Sequence, residues 1–213
     1  MSIPCRLIDS AKAKFLRLGL LTLLIVLASC TIIESQPPAR VIEPQITLPE
    51  QVEHEQSYGS IRVLRPESDQ TRDSRQILVR WNDSSLQALP QHLWLEKAPD
   101  LLRSVMLDSF RRSGPFDDAA AGGSADWILS TTLRRFEAVD DGDGSYGVEI
   151  ELFVRLIQQQ TGRPLLTRSI QVERSSTGNR PDDWITAFEQ ALSQTLTELT
   201  DWLSDGVGAT LTE

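Results

Sequence analysis

The chain has 213 residues, of which 24% are charged, and a net charge of −9. That length suits one domain with a full hydrophobic core. The acidic balance excludes a basic patch for nucleic-acid phosphates or anionic lipid head groups, and two cysteines with two histidines leave no thiolate metal cluster or disulfide framework to build.

Residues 1–14 carry Arg6, Lys12 and Lys14 against Asp9, and Arg17 precedes an apolar run from Leu18 to Ala28. Eleven helical residues reach about 16 Å, roughly half of a 30 Å hydrocarbon core. A basic start, a short apolar stretch and small residues describe a secretory signal over 1–29 rather than a membrane span. The run ends in Leu27-Ala28-Ser29-Cys30, which resembles the lipobox of bacterial lipoproteins. The resemblance implies that the signal is removed, that the Cys30 thiol is diacylated and that the new N-terminus is acylated. Three acyl chains hold a protein on a membrane, where one does not. Thr31 stands where an Asp resembles an inner-membrane retention signal, so the expected location is the outer membrane, facing the periplasm. Loss of residues 1–29 also removes Cys5 and leaves 17 basic against 29 acidic residues, a net charge of −12. The acyl anchor, not a basic surface, then has to hold the protein at the membrane.

From Cys30 to residue 57 the chain carries Pro37, Pro38, Pro44 and Pro49 among Glu and Gln, and it reads as an extended tether. A coil of that length spans about 30 Å. The alternative is that Val41-Ile42 or Ile46-Thr47-Leu48 docks as an edge strand. The folded part is expected over 58–205. Ser60–Leu64 and Gln76–Trp81 read as strands, with a short third at His92–Leu95. Pro99 opens a helix to about Arg112, in which Leu102, Val105, Met106, Ser109 and Phe110 share one face. A strand meander follows: 126–136, then a second strand in which Val148, Ile150, Leu152, Val154 and Leu156 alternate with Glu149, Glu151 and Arg155, then 165–172. The last helix begins at Pro181 with Asp182 and Asp183 in its first turn, and Gly206 marks its end, leaving 206–213 as a tail. This order predicts a single α+β domain, an antiparallel or mixed sheet with two main helices on one face.

The residues with chemical potential reduce to structural roles. Asp140-Asp141-Gly142-Asp143-Gly144 has the look of a calcium loop, but Ser145-Tyr146-Gly147 after it supplies no bidentate Glu, so it reads as a hairpin turn. Glu149 and Glu151 stand about 6.8 Å apart on one strand face, a spacing of interest for a glycosidase, yet alternation alone places both on the solvent side. His54 sits in a polar Glu-His-Glu-Gln run and reads as solvated, His92 reads as structural, and Gly122-Gly123-Ser124 reads as slack. There is no nucleophile elbow, phosphate loop or HExxH helix, hence no catalytic, metal or cofactor residue to name. Of Trp81, Trp94, Trp127, Trp184 and Trp202, most are expected in the core, with one or two left to line a partner or lipid groove.

The run Ser74-Arg75-Gln76-Ile77-Leu78-Val79-Arg80-Trp81-Asn82-Asp83, followed after a gap by Trp94-Leu95-Glu96-Lys97-Ala98-Pro99 and an amphipathic helix, resembles the ABC-type transport auxiliary lipoprotein family. The resemblance spans about Ser60 to Leu203; the long Pro-rich tether departs from it. It implies an accessory, itself not an enzyme, of a transporter that moves phospholipids or other hydrophobic molecules across the envelope. Its implied companions are an ABC permease, an ATPase and a periplasmic protein with the mammalian-cell-entry (MCE) domain. The implied mechanism is positional: the anchor fixes one end while the domain docks on the partner, alone or as a homo-oligomer. The rivals are a structural lipoprotein bridging envelope assemblies and a lipid-anchored hydrolase.

Overall fold

A computed structural model describes residues 38–48, 58–113 and 115–211. The chain divides between Pro38 and Ala39 into two units, and all described residues except Pro38 belong to the second. Among them are eight strands in one mixed sheet and two helices, a single α+β domain. The strands are β1 (Arg40–Ile42), β2 (Ser60–Val63), β3 (Gln76–Arg80), β4 (Leu86–Trp94), β5 (Asp118–Ala120), β6 (Trp127–Asp140), β7 (Tyr146–Gln158) and β8 (Pro164–Ser175). The helices are α1 (Ala98–Ser113) and α2 (Pro181–Leu211).

The long strand β6 is the hub. On one side it pairs antiparallel with β7, and β7 with β8, which is the expected meander. On the other side two short strands share its length, both parallel to it. β2 lies against its start (Ile61 opposite Trp127) and β3 against its end (Leu78 opposite Glu137). β5 extends the sheet from β2, while β4 and then β1 extend it from β3.

The period-2 pattern of β7 decides which face is dry. Val148, Ile150, Leu152, Val154 and Leu156 are all buried, as are Leu129, Leu133, Phe136 and Ala138 of β6. Both helices seal this face. Phe188 of α2 sits 5.1 Å from Trp94 and 5.2 Å from Phe136 between ring centroids, and Tyr146 stacks on Trp184 at 5.0 Å. The helices meet each other through the buried hydroxyls of Ser109 and Thr200, 3.2 Å apart. Helix α2 starts where expected. Pro181 occupies its first turn, and the Asp183 carboxylate accepts the Arg180 amide at 3.2 Å, satisfying an otherwise unpaired donor.

Several boundaries differ from the sequence expectation: β6 runs on to Asp140 rather than 136 and β8 to Ser175 rather than 172, and four differences matter more. The stretch 30–57 is not all tether: Arg40–Ile42 adds to the edge of β4, Ile42 is buried, and Ile46 and Leu48 pack against the core. Parallel pairing to β4 and the apolar side chains outweigh the proline content there. β5 went unseen because Asp-Ala-Ala has no strand propensity; pairing with β2 makes it a strand and buries Ala119. β4 runs from Leu86, longer than His92–Leu95. Pro90 and the positive φ of Gln91 (60°) fall where its register with β3 shifts, a position that tolerates proline. Finally, α2 does not stop at Gly206 but continues to Leu211, with Val207 fully buried. Gly206 is a packing glycine, since a Cβ there would stand 2.3 Å from Leu166 Cδ1 of β8.

Candidate functional site

Cys30, expected to carry lipid, and His54 lie outside the described residues. The acid-rich 140–144 run is the turn of the β6–β7 hairpin. Asp140 accepts the Gly142 amide at 2.9 Å, and Asp143 accepts both the amide and the hydroxyl of Ser145 (2.9 and 2.5 Å). The Ser145 bonds hold the Asp143 carboxyl below the usual carboxylate range. These carboxylates are occupied in closing the turn, and among the described residues no group of three or more His, Cys, Asp or Glu is arranged to hold a metal ion. His92 contacts the Pro90 carbonyl at 2.8 Å through Nδ1, within its own strand. Gly122–Ser124 is an exposed bend whose Gly123 carbonyl accepts from Arg62. Trp94, Trp127 and Trp184 are buried, whereas Trp81 and Trp202 pack against the core partly exposed.

The Glu149–Glu151 pair departs from the expectation of a solvated row. Both are on the face away from the helices, but Glu149 is only 7% exposed. Arg135 joins them, Nη1 to Glu149 at 2.5 Å and Nε to Glu151 at 3.3 Å, and Arg134 reaches Glu151 at 3.2 Å. Carboxylates neutralised in this way hold strands β6 and β7 together; neither is left as a free base. The ladder continues to Glu137 of β6, which is fully buried and was not singled out by sequence. Its two oxygens are taken by Arg80 of β3 and, at 2.6 Å, by Arg72 of the β2–β3 loop. The only sequence signal is that Glu137 interrupts a run of apolar residues on β6.

One opening among the described residues that belongs to none of these networks is a groove of about 260 Å³ beside α1. It forms because the segment after β1 runs along α2, where the Gln45 amide donates to Glu189 (2.8 Å) and the Thr47 amide to Ser193 (3.1 Å). The groove lies between this segment and the face of α1 set by Leu101, Ser104, Val105, Asp108 and Arg112, about 16 Å long. Ile46, Leu48 and Leu95 complete an apolar floor, and Leu95 is 46% exposed. Glu43, Glu96 and Asp108 stand in its lining with Arg112 as the one cation. Glu96 accepts the Ser104 hydroxyl at 3.2 Å, Asp108 has an ion pair at 3.8 Å with Arg111, and Glu43 has no ion pair among the described residues. Sequence reasoning could not find this groove, because one wall is the stretch read as tether.

Residues 42–200 match the model of a family described as the ABC-type transport auxiliary lipoprotein component. The crystal structure of protein XCC0632 from Xanthomonas campestris is similar over 81% of this chain and 99% of its own, at 26% identity and a TM-score of 0.73. A hypothetical protein from Chlamydia trachomatis, CT253, shares the fold at 8% identity and a TM-score of 0.53, over 72% of this chain and 99% of its own. No curated protein gives a match.

Proposed function

Because this chain belongs to the ABC-type transport auxiliary lipoprotein family, we propose that it serves, anchored through Cys30, as the periplasm-facing accessory of an ABC transporter for phospholipids or other hydrophobic molecules. The family match over 42–200 carries this reading, since it spans nearly every element of the fold. Its direct partner is a periplasmic MCE-domain protein, working with an ABC permease and an ATPase. The lipobox-like Leu27-Ala28-Ser29-Cys30 and Thr31 after it support anchoring at the outer membrane. The role asks no bond-making or bond-breaking of the protein. It asks for a rigid domain held at a set place, which suits carboxylates engaged in strand-to-strand ion pairs and a helix-sealed core.

The test is affinity purification of the full-length lipoprotein from mild-detergent membranes, with mass spectrometry of what accompanies it. Recovery of a permease, an ATPase and an MCE-domain protein is the expected result. Recovery of only peptidoglycan-binding or outer-membrane assembly proteins would replace it with a bridging role. Replacing Cys30 by Ala is expected to release the protein from the membrane fraction and abolish function while leaving its circular dichroism unchanged. Full function from the unanchored form would defeat the positional mechanism.

A further inference from the structure

We infer that the groove between α1 and the Glu43–Leu48 segment is the surface through which this protein grips its partner, and that it receives a basic amphipathic segment of that partner. The inference rests on the accessory role proposed above and assigns the surface that carries it out. Size argues first. At about 260 Å³ and open to solvent along one side, the groove is below the 300–1,000 Å³ of sites that enclose a whole small molecule. It does suit a few aliphatic anchors of a chain laid along three turns of α1, the helix-in-groove mode of recognition.

Charge decides the rest. The apolar floor formed by Ile46, Leu48, Leu95, Leu101 and Val105 is flanked by three carboxylates against one guanidinium. Asp108 has an ion pair at 3.8 Å with Arg111, while Glu43 and Glu96 have none among the described residues, unlike the carboxylates of the sheet. Leu95, one of the most exposed large apolar side chains of the described fold (46%), lines this groove, and its amide donates to the Ile42 carbonyl. An apolar strip inside an acidic margin selects a ligand with apolar anchors and Lys or Arg beside them. It repels an anionic bilayer surface. Residues 49–57, with Glu50, Glu53 and Glu55 and Val52 as their single aliphatic side chain, lack the cationic character that this strip selects.

The probe is a 14-residue peptide with leucines at i, i+3, i+4 and i+7 and lysines at the other charged positions, with a glutamate-for-lysine peptide as control. It is added to the full-length lipoprotein in zwitterionic nanodiscs, empty discs being subtracted. The lysine peptide is expected to bind and to slow amide exchange in 43–48 and 95–108. Binding should weaken at least tenfold in Leu95→Asp and in Glu96→Lys, and stay unchanged in Asp201→Lys, which removes an exposed acid of α2 outside the groove. Equal binding of the glutamate peptide, protection elsewhere, or an equal loss in Asp201→Lys would overturn the proposal. So would tighter binding of the lipoprotein to phosphatidylglycerol vesicles that Leu95→Asp abolishes, since the surface would then be a membrane contact. The same variants are carried through the membrane purification. Transporter components retained by Leu95→Asp as by the wild type would refute the groove and leave the accessory role standing. Their absence from the wild type would refute the role, while the peptide measurement still judges the groove.

Discussion

At the residue scale, the face of the sheet turned away from the helices is governed by paired charge. Glu137 has no exposed surface and is matched by two guanidiniums, from Arg72 and Arg80. Such an arrangement is not strong evidence of net stabilisation, because two charges lose their hydration to form it. Removing one partner is another matter, since it strands the rest. Glu137→Ala is expected to cost about 3 kcal/mol, the low end for breaking a buried pair because Arg80 keeps access to water. The shift of the urea midpoint at constant m-value measures it. A loss well under 1 kcal/mol would show that Arg72 and Arg80 turn to solvent and that Glu137 is not a structural centre. On the dry face, Phe188 occupies the corresponding position, fully buried between Trp94 and Phe136. Truncation to Ala there is expected to cost about 3–5 kcal/mol.

At the scale of elements, one residue joins three of them. Arg65, just beyond β2, holds Asp100 in the first turn of α1 with two bonds (2.7 and 3.0 Å) and Asp73 of the loop before β3 at 2.6 Å. Asp100 also faces the helix N-terminus, where negative charge is favoured. The Arg65 hydrogen bonds hold both carboxyls below the usual range and raise the guanidinium's own affinity for its proton. For a carboxyl lowered on folding, the stabilisation is fully present above the unfolded value near pH 4 and fades as pH falls through the lower native value. The stability difference between wild type and Arg65→Met is therefore expected to be largest from pH 5 upward and to shrink below about pH 4. Denaturant titrations at pH 7 and pH 3 decide it, and a difference that grows on acidification would contradict the assigned cause. Both carboxyls are substantially exposed, so the effect is smaller than for a buried pair.

At the scale of the whole molecule, the domain starts earlier than its composition suggests. Ile42 is buried, the Glu43–Leu48 segment bonds to α2, and together they wall the groove. A chain beginning at Tyr58 is expected to be about 2 kcal/mol less stable than one beginning at Pro38, the contribution of a buried Ile side chain. It also loses the groove. Equal thermal midpoints for the two chains would return 38–48 to the status of a linker.

How much of this was legible follows from where each pattern is stored. The β6–β7–β8 meander and both helices could be read from the chain, because period 2 and period 3.6 are local imprints of which face meets the core. The family resemblance could be read too, since its Arg-Ile strand and Trp-Leu-Glu-Lys-Ala-Pro helix entry are contiguous; both lie in the span that matches the family model. β5 could not, and β1 only as the edge-strand alternative at Val41-Ile42, for each is three residues long and is a strand only because β2 or β4 supplies its hydrogen bonds. The end of α2 is not legible in the chain, because glycine is a stop signal locally but a close-packing residue where Leu166 presses on the helix. Sequence alone therefore determined the fold class and the family, both written in neighbouring residues. Only the tertiary structure decided that Glu149 is buried, that Glu137 anchors two arginines, and that an acid-rimmed groove opens beside α1. These depend on residues far apart in the chain that the sheet and helices bring within a few ångströms.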